Sequence, residues 1–437
     1  MTDGAPIFTL RRLFGLLVVF STIRFIYYGW IDCQILSPVI TFPFEEFDFL
    51  PRPNYLGTCL LFSGMLLGGL SIVTGRLFKL GCTLFFICFT YVELLDKTNY
   101  LNHYYFVSLL SFLLIFSSAH KETYSIPKIQ INLFKFIIGL VYFLAGIAKL
   151  NQDWLLEAQP LAMWLPAHVE LPIIGWLFKY KTTAYLFSWG GALFDITAPF
   201  FLLSNYFRKW FFGILVIFHI LTWLLFPIGI FPWVMICCAT IFFPSEVHRK
   251  FWNEIDGFRL PKISHQESSH FLYKPFVICF IVIQILFPFR YLMYPGNLFW
   301  HESGYRFSWR VMLMEKPSWA KFYIKDSHGV EEEIILSDWL TRSQIKMMSS
   351  QPDMLVQFSR TLKNKYLEIQ GRDIKVRAEV WASLNGRRSQ LFIEPFTDLS
   401  ALKNTWGERD YVLPLDSVIS PLEYKNLEPI FRKESKW

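Results

Sequence analysis

Charge is scarce in this 437-residue chain: Asp, Glu, Lys and Arg together make up 18%, where a soluble domain carries about a quarter. That shortage excludes an ordinary water-solvated globule of this length. The signatures of soluble enzyme classes are missing too, with no HExxH, GxSxG, Walker loop or GxGxxG anywhere. The nine histidines show no ligand spacing, so no metal is expected. Of the seven cysteines, six lie in apolar stretches and Cys33 just after one, without CxxC or zinc spacing. They read as small core hydrophobes, not as a disulfide framework. No internal repeat and no Asn-x-Ser/Thr sequon occur. The apolar run behind Arg11-Arg12 lacks a small-residue cleavage site, so it reads as a retained first span.

What fills the chain instead is apolar. Hydrophobic residues make up 53% and aromatic residues 19%, with 46 Phe and 16 Trp, and the mean hydropathy is +0.34. Lipid solvates such a composition, with rings at the interfaces. Runs of a length to cross a bilayer fall at 13–30, 55–73, 78–95, 103–118, 133–151, 183–203, 209–225, 229–243 and 272–289. The eighth carries Pro227, Gly229 and Pro232 near its start, a break tolerated where backbone is buried in protein or lines a cavity. The expectation is a polytopic α-helical membrane protein of about nine transmembrane helices, residues 1–291, surrounded by membrane lipids.

The net charge of +7 is spread in short clusters between these runs, not along one stripe, so it carries topology and not nucleic-acid binding. Alternating the loops puts fourteen basic residues on one side, among them Arg11, Arg76, Lys121, Arg208, Arg259 and Lys262. Five fall on the other: Arg52, Lys97, Lys179, Lys181 and Arg290. That bias predicts a cytoplasmic N-terminus and an outward C-terminus. From 292 to 437 the sequence turns polar and alternating. Strands around Lys321–Lys325 and Glu332–Leu336 flank an Asp326–Gly329 turn, a helical stretch covers roughly 338–370, and Asn385-Gly386 marks a second hairpin. A small outward-facing α+β domain follows.

Ionisable side chains at membrane depth are costly and are candidates for function. They are Arg24, Glu93, Asp96, His103, Lys149, Asp195 and His219. In this topology Glu93, Asp96, His103 and Lys149 fall near the outer ends of their spans and could meet in one outward pocket. A lysine at a helix end ordinarily snorkels to the interface, Asp195 and His219 ordinarily bond between helices, and Arg24 reads as structural. The residues alone lead to a multispan protein with a polar outward pocket.

A resemblance goes further. Tyr142-Phe-Leu-Ala-Gly-Ile-Ala-Lys149-Leu-Asn-Gln-Asp-Trp154 closely resembles the YF-AG-xKLDADW segment of the vitamin K-dependent γ-glutamyl carboxylase family, whose membrane part is of the HTTM type. Asp96-Lys-Thr-Asn-Tyr-Leu-Asn-His103 resembles its DKTSWNNH. Phe218-His219 with Phe226-Pro-Ile-Gly-Ile-Phe-Pro-Trp-Val-Met235 is similar to FH…FSIGMFSYVM. Gly304-Tyr-Arg-Phe-Ser-Trp309 and Val380-Trp-Ala-Ser-Leu-Asn-Gly386 are similar to YGYSW and IWVSIND. Five matches in order are far more specific than any one.

The resemblance implies a membrane enzyme that uses reduced vitamin K, O2 and CO2 to convert glutamate in a peptide or protein to γ-carboxyglutamate. The γ-proton is too weakly acidic for any side-chain base, so oxygenation of the hydroquinone, ending in the epoxide, supplies the strong base. The protein then removes only a phenolic proton, which a desolvated lysine amine can do. Lys149 matches the second member of the family's lysine pair, the first being Ala148 here. Asn102 and His103 match residues at the quinol, with Lys149; Asn102 could equally cap the fourth span. Tyr305, Ser308 and Trp309 match the segment associated with the glutamate. Arg306 and Arg310, which replace a family Gly and Asp, could clamp its carboxylate, or stand as solvated or interface charges. Animal members carry a longer lumenal portion that helps hold the substrate's propeptide, so the length and the lack of sequons look like a bacterial relative with a periplasmic outer face. Quinol epoxidation alone, or a non-catalytic quinone-binding, lipid-binding or transport module, are the alternatives.

Overall fold

A computed structural model of the chain describes residues 2–119, 125–256, 273–403 and 409–416; the basic residues Lys121, Arg259 and Lys262 lie outside them. Four helices come first: α1 (Ala5–Tyr27), α2 (Tyr55–Thr74), α3 (Phe78–Leu94) and α4 (Asn102–Ile115). Asn54 caps α2 by accepting from the Gly57 amide at 2.8 Å. The helix ends at Gly75, whose φ of +77° suits glycine. Small residues let α2 and α3 touch: a Cβ on Gly68 would stand 2.7 Å from the Gly81 carbonyl oxygen. Next come α5 (Lys128–Ala148), α6 (Lys181–Leu203) and α7 (Arg208–Leu225). The last stretch of the membrane part holds α8 (Phe231–Ala239), α9 (Ser245–Asp256) and α10 (Tyr273–Leu286).

All nine apolar runs are helical, but nine full spans are not reached. Among the described residues six helices are long and apolar enough to cross a membrane, or seven if a bent pair counts as one span. The six are α1, α2, α5, α6, α7 and the stretch Lys274–Met293. α4, with 14 residues, rises about 21 Å, short of the roughly 30 Å hydrocarbon layer. The eighth run bends by 118° between Phe242 and Ser245. Pro244 denies the helix an amide there, and the sequence beyond it is amphipathic. α9 therefore folds back onto the start of α1, where Arg249 pairs with Asp3 at 2.7 Å and the Trp252 indole donates to Thr9 at 2.9 Å.

The C-terminal region is a four-stranded antiparallel sheet with strands β1 (Ser318–Lys325), β2 (Glu331–Ile334), β3 (Lys375–Ala382) and β4 (Gln390–Leu391), in the order β2-β1-β3-β4. Both expected hairpins form. Lys325 pairs with Glu331 across the Asp326–Gly329 turn, and Ala382 pairs with Gln390 around Asn385 and Gly386, both at positive φ. The expected single helix divides into α11 (Arg342–Ser350) and α12 (Pro352–Gln370), because Gln351 is extended ahead of Pro352. Phe358 of α12 packs edge-on against Phe322 of β1 at 4.9 Å. Val376, Ala378, Val380 and Ala382, alternate residues of β3, are all fully buried.

This domain sits on the end of the bundle that carries Asp96, Lys97 and Lys149. Arg387 grips Asp153 with two bonds of 2.7 and 2.5 Å, and the Asn385 amide adds a third at 2.7 Å. The Gln344 amide donates to Asp96 at 2.8 Å. Asp353, in the first turn of α12, receives Arg306 at 2.7 Å and Lys97 at 3.0 Å. Asp96 is thus a docking residue and does not join a pocket with Lys149.

Candidate functional site

The segment that ends α5 places its lysine by backbone geometry. The Lys149 amide bonds back to the Gly146 carbonyl at 3.0 Å, tightening the last turn. Asn151 then caps a new short helix by accepting from the Trp154 amide at 3.0 Å. The Trp154 indole ties that helix to α6 through the Ser188 carbonyl at 2.8 Å. Lys149 therefore points between α5 and α6, where its ammonium nitrogen lies 2.6 Å from Asp195 Oδ2. Both side chains are buried. It does not snorkel.

Glycine makes this pairing possible. A Cβ on Gly146 would stand 2.6 Å from the Ile196 amide nitrogen and 3.1 Å from the Asp195 carbonyl carbon. Backbone cannot yield as a flexible side chain does, so Gly146→Ala must push α5 from α6. The expected cost is about 1–3 kcal/mol, read as a lower thermal midpoint in detergent, as Lys149 and Asp195 part. An unchanged midpoint would mean that the helices are not in this contact.

Lys149 and Asp195 face a cavity of about 120 Å³ whose other walls are apolar, including Trp154, Trp164, Phe187, Phe218 and Phe231. His219 and Tyr142 also line it and bond to each other at 2.7 Å, joining α7 to α5. A flat aromatic ring with an ionisable hydroxyl would meet aromatic side chains on such walls, with the Lys149 amine among the few polar groups. The residues present suit a quinol in that sense.

A second cavity, of about 490 Å³, adjoins the first and shares Ile228, Phe231, Val311 and Met312 with it. Asn102, His103, Tyr305, Arg306 and Arg310 line this one, with Arg24 and Lys97. Of the expected trio, Lys149 lines the first cavity and Asn102 and His103 line the adjoining one, with His103 stacked on the shared residue Phe231. Asn102 is neither a cap nor free. Leu101 occupies the cap position, while the Asn102 amide donates to the Arg310 carbonyl at 2.8 Å and its oxygen accepts from Tyr100 at 3.0 Å. His103 stacks edge-on against Tyr104 and tilted against Phe231. Glu93 lies apart, accepting from Ser108 at 2.9 Å.

The segment from Glu302 to Met312 carries four non-glycine residues at positive φ: Glu302, Phe307, Trp309 and Met312. Such strain costs on the order of 1 kcal/mol per residue and gathers at sites where backbone must be held in one shape. Here it turns Tyr305, Arg306 and Arg310 toward the cavity. Ser308 and Trp309 are not brought in with them. Ser308 donates to the Tyr305 carbonyl, and Trp309, 1% exposed, stacks on Tyr105 at 5.2 Å. Arg306 already holds Asp353 and Gln351 of its own chain, so the clamp expected of it is spent on docking. Asp195 as the partner of Lys149, and Arg24 as part of the cavity wall, were the two features the sequence reading did not assemble. The available signal was that opposite charges within apolar runs must find each other.

The HTTM domain model matches residues 1–246, and the model of the vitamin K-dependent gamma-carboxylase lumenal domain matches residues 269–418. No solved structure matches the chain. With an HTTM domain followed by that lumenal domain, this multi-pass membrane chain belongs to the vitamin K-dependent gamma-carboxylase family.

Proposed function

We propose that the protein is a membrane carboxylase that couples epoxidation of reduced vitamin K to carboxylation of peptidyl glutamate, with residues 1–291 holding the quinol and residues 292–437 facing the outer, lumenal or periplasmic side. The observation that carries the reading is the buried Lys149–Asp195 pair at 2.6 Å on the wall of a mostly apolar cavity. A quinone-binding or transport module needs no buried amine there, since burying an ion pair is costly in a low-dielectric interior.

Reduced vitamin K, with O2, would supply the strong base that glutamate requires. The protein's own work is smaller. Lys149 accepts a phenolic proton from the state in which its amine is neutral, and the ammonium so formed is held and balanced by the Asp195 carboxylate. The aromatic walls exclude water that would quench the base. Ile228, Phe231, Val311 and Met312 line both this cavity and the cationic one, where the glutamate and CO2 would sit. Tyr305 and Arg310 would meet the glutamate; His103, stacked on Phe231 where the two cavities meet, would sit between the quinol and the substrate.

The test is to incubate the purified protein with vitamin K hydroquinone, a glutamate-containing peptide and labelled CO2, measuring epoxide and label separately. Both products are expected in parallel. Epoxide without label would reduce the function to the first half-reaction, and neither product would overturn the proposal.

A further inference from the structure

The 490 Å³ cavity holds more positive charge than its own acids neutralise. Arg24, Lys97, Arg306 and Arg310 line it against Glu302. Lys97 and Arg306 converge on Asp353, and Glu302 is taken by Lys316 at 2.5 Å. Arg24 and Arg310 remain with no acidic partner among the described residues. Each has a buried Nε without a hydrogen-bond partner.

Their neighbours are neutral. Tyr104 meets Arg24 and Tyr291 meets Arg310. The Arg310 guanidinium also lies 4.2 Å from the centre of the Tyr291 ring, which covers one face and leaves the donor edges. Arg310 is only 8% exposed. Arg24 comes from the far wall, near Gly229, where an added Cβ would stand 3.9 Å from its Nη2. Two guanidiniums facing one cavity repel each other and are costly to bury unpaired. Such an arrangement is stable in use when anions fill it, and planar forks suit carboxylates.

We propose that this cavity is a site for two carboxylates on one carbon. Arg310 holds the existing carboxylate of the glutamyl side chain, and Arg24 holds the one formed from CO2. The assignment rests on the carboxylase reading above and deepens it. In that reaction the γ-carbon gives its proton to the base generated at the quinol. Its electron pair forms the new bond to the carbon of CO2, and one C=O pair moves onto oxygen. The side-chain charge goes from −1 to −2 without any further oxidant. A second guanidinium placed where the second charge develops favours the transition state over the substrate.

Malonate, a minimal geminal dicarboxylate, tests this without quinol or CO2. Binding to the full-length protein in nanodiscs is measured by calorimetry, with acetate as the single-carboxylate control. Malonate is expected to bind tenfold or more tighter than acetate, about the gain of one added charge-assisted pair. Arg24→Gln should bring malonate down to the acetate level, Arg24→Lys should restore part of the difference, and Arg310→Gln should weaken both ligands. Equal affinities for malonate and acetate, or a preference untouched by Arg24→Gln, would overturn the proposal. Malonate preference without any carboxylation would leave this site standing and overturn the catalytic reading alone. Carboxylation without malonate preference would do the reverse.

Discussion

On the proposed function, replacing Lys149 by Met is expected to lower vitamin K epoxide formation by about 10²–10⁴-fold, the usual worth of a positioned general base, and carboxylation with it. The side chain is buried against Asp195 at 2.6 Å and has no second base of its kind on the cavity wall. The single variant carries a second effect, because it leaves the Asp195 carboxylate buried and unpaired. Breaking a buried pair on one side costs about 3–5 kcal/mol. A double variant, Lys149→Met with Asp195→Leu, removes both charges and should recover most of the thermal stability while remaining inactive. Asp195→Asn separates the roles: it keeps a polar partner for the amine and removes the shared charge, so epoxidation should fall by less than in Lys149→Met. Epoxide formation within about threefold of wild type in a folded Lys149→Met protein would remove Lys149 from the chemistry.

Asp353→Asn should loosen the outer domain from the membrane part and destabilise the protein by about 3–5 kcal/mol, because Arg306 and Lys97 are left facing each other without their shared anion. Burial alone would raise the Asp353 carboxyl, but Arg306 and then Lys97 outweigh it and hold it well below the usual carboxylate range. The sign follows from that depression. The stabilisation is fully present above the unfolded value of about 3.9 and is lost only as pH falls through the lower folded value. Thermal midpoints of the wild type should therefore keep this contribution at pH 5 as at pH 7, and the variant should lack it at both. A midpoint unchanged by the substitution would show that docking rests on Asp153, Arg387 and Asn385 instead. Because Arg306 belongs to the strained segment that also carries Tyr305 and Arg310, loss of Asp353 should raise the KM for peptide before it affects epoxidation without peptide.

Much of this protein is legible in its sequence, for a physical reason. A shortage of charge and long apolar runs leave helices in lipid as the available solution, since backbone amides and carbonyls must be satisfied within the segment. Alternating polar and apolar residues around Asp326–Gly329 and Asn385-Gly386 likewise dictate two hairpins, and both strand pairs form as expected. These are local patterns, and local patterns survive in one dimension. The ordered motifs around Lys149, His103 and Trp309 carry the family, which residues 1–246 and 269–418 show by their matches.

What sequence order could not reveal was which distant side chains meet. Asp195 stands 46 positions from Lys149, and only the glycine contact at Gly146 brings the two helices close enough for a 2.6 Å bond. Asn102 and His103 lie at the same end of the bundle as Lys149 but line an adjoining cavity, joined to the first through Ile228, Phe231, Val311 and Met312, and no periodicity encodes which cavity a side chain reaches. Arg306 looked free until the fold carried Asp353 onto it. Among the described residues full spans number six or seven and not nine, in part because α4 is too short and because the chain bends after Phe242, where α9 packs against the start of α1. The sequence by itself determined the lipid setting, the helices, the hairpins and the family. The tertiary structure decided which charges are paired, that Arg24 and Arg310 meet in one cavity without an acidic partner among the described residues, and therefore where an anionic substrate could be received. The reason is that pairing of buried charges depends on spatial approach over tens to hundreds of residues, and only the packed chain supplies it.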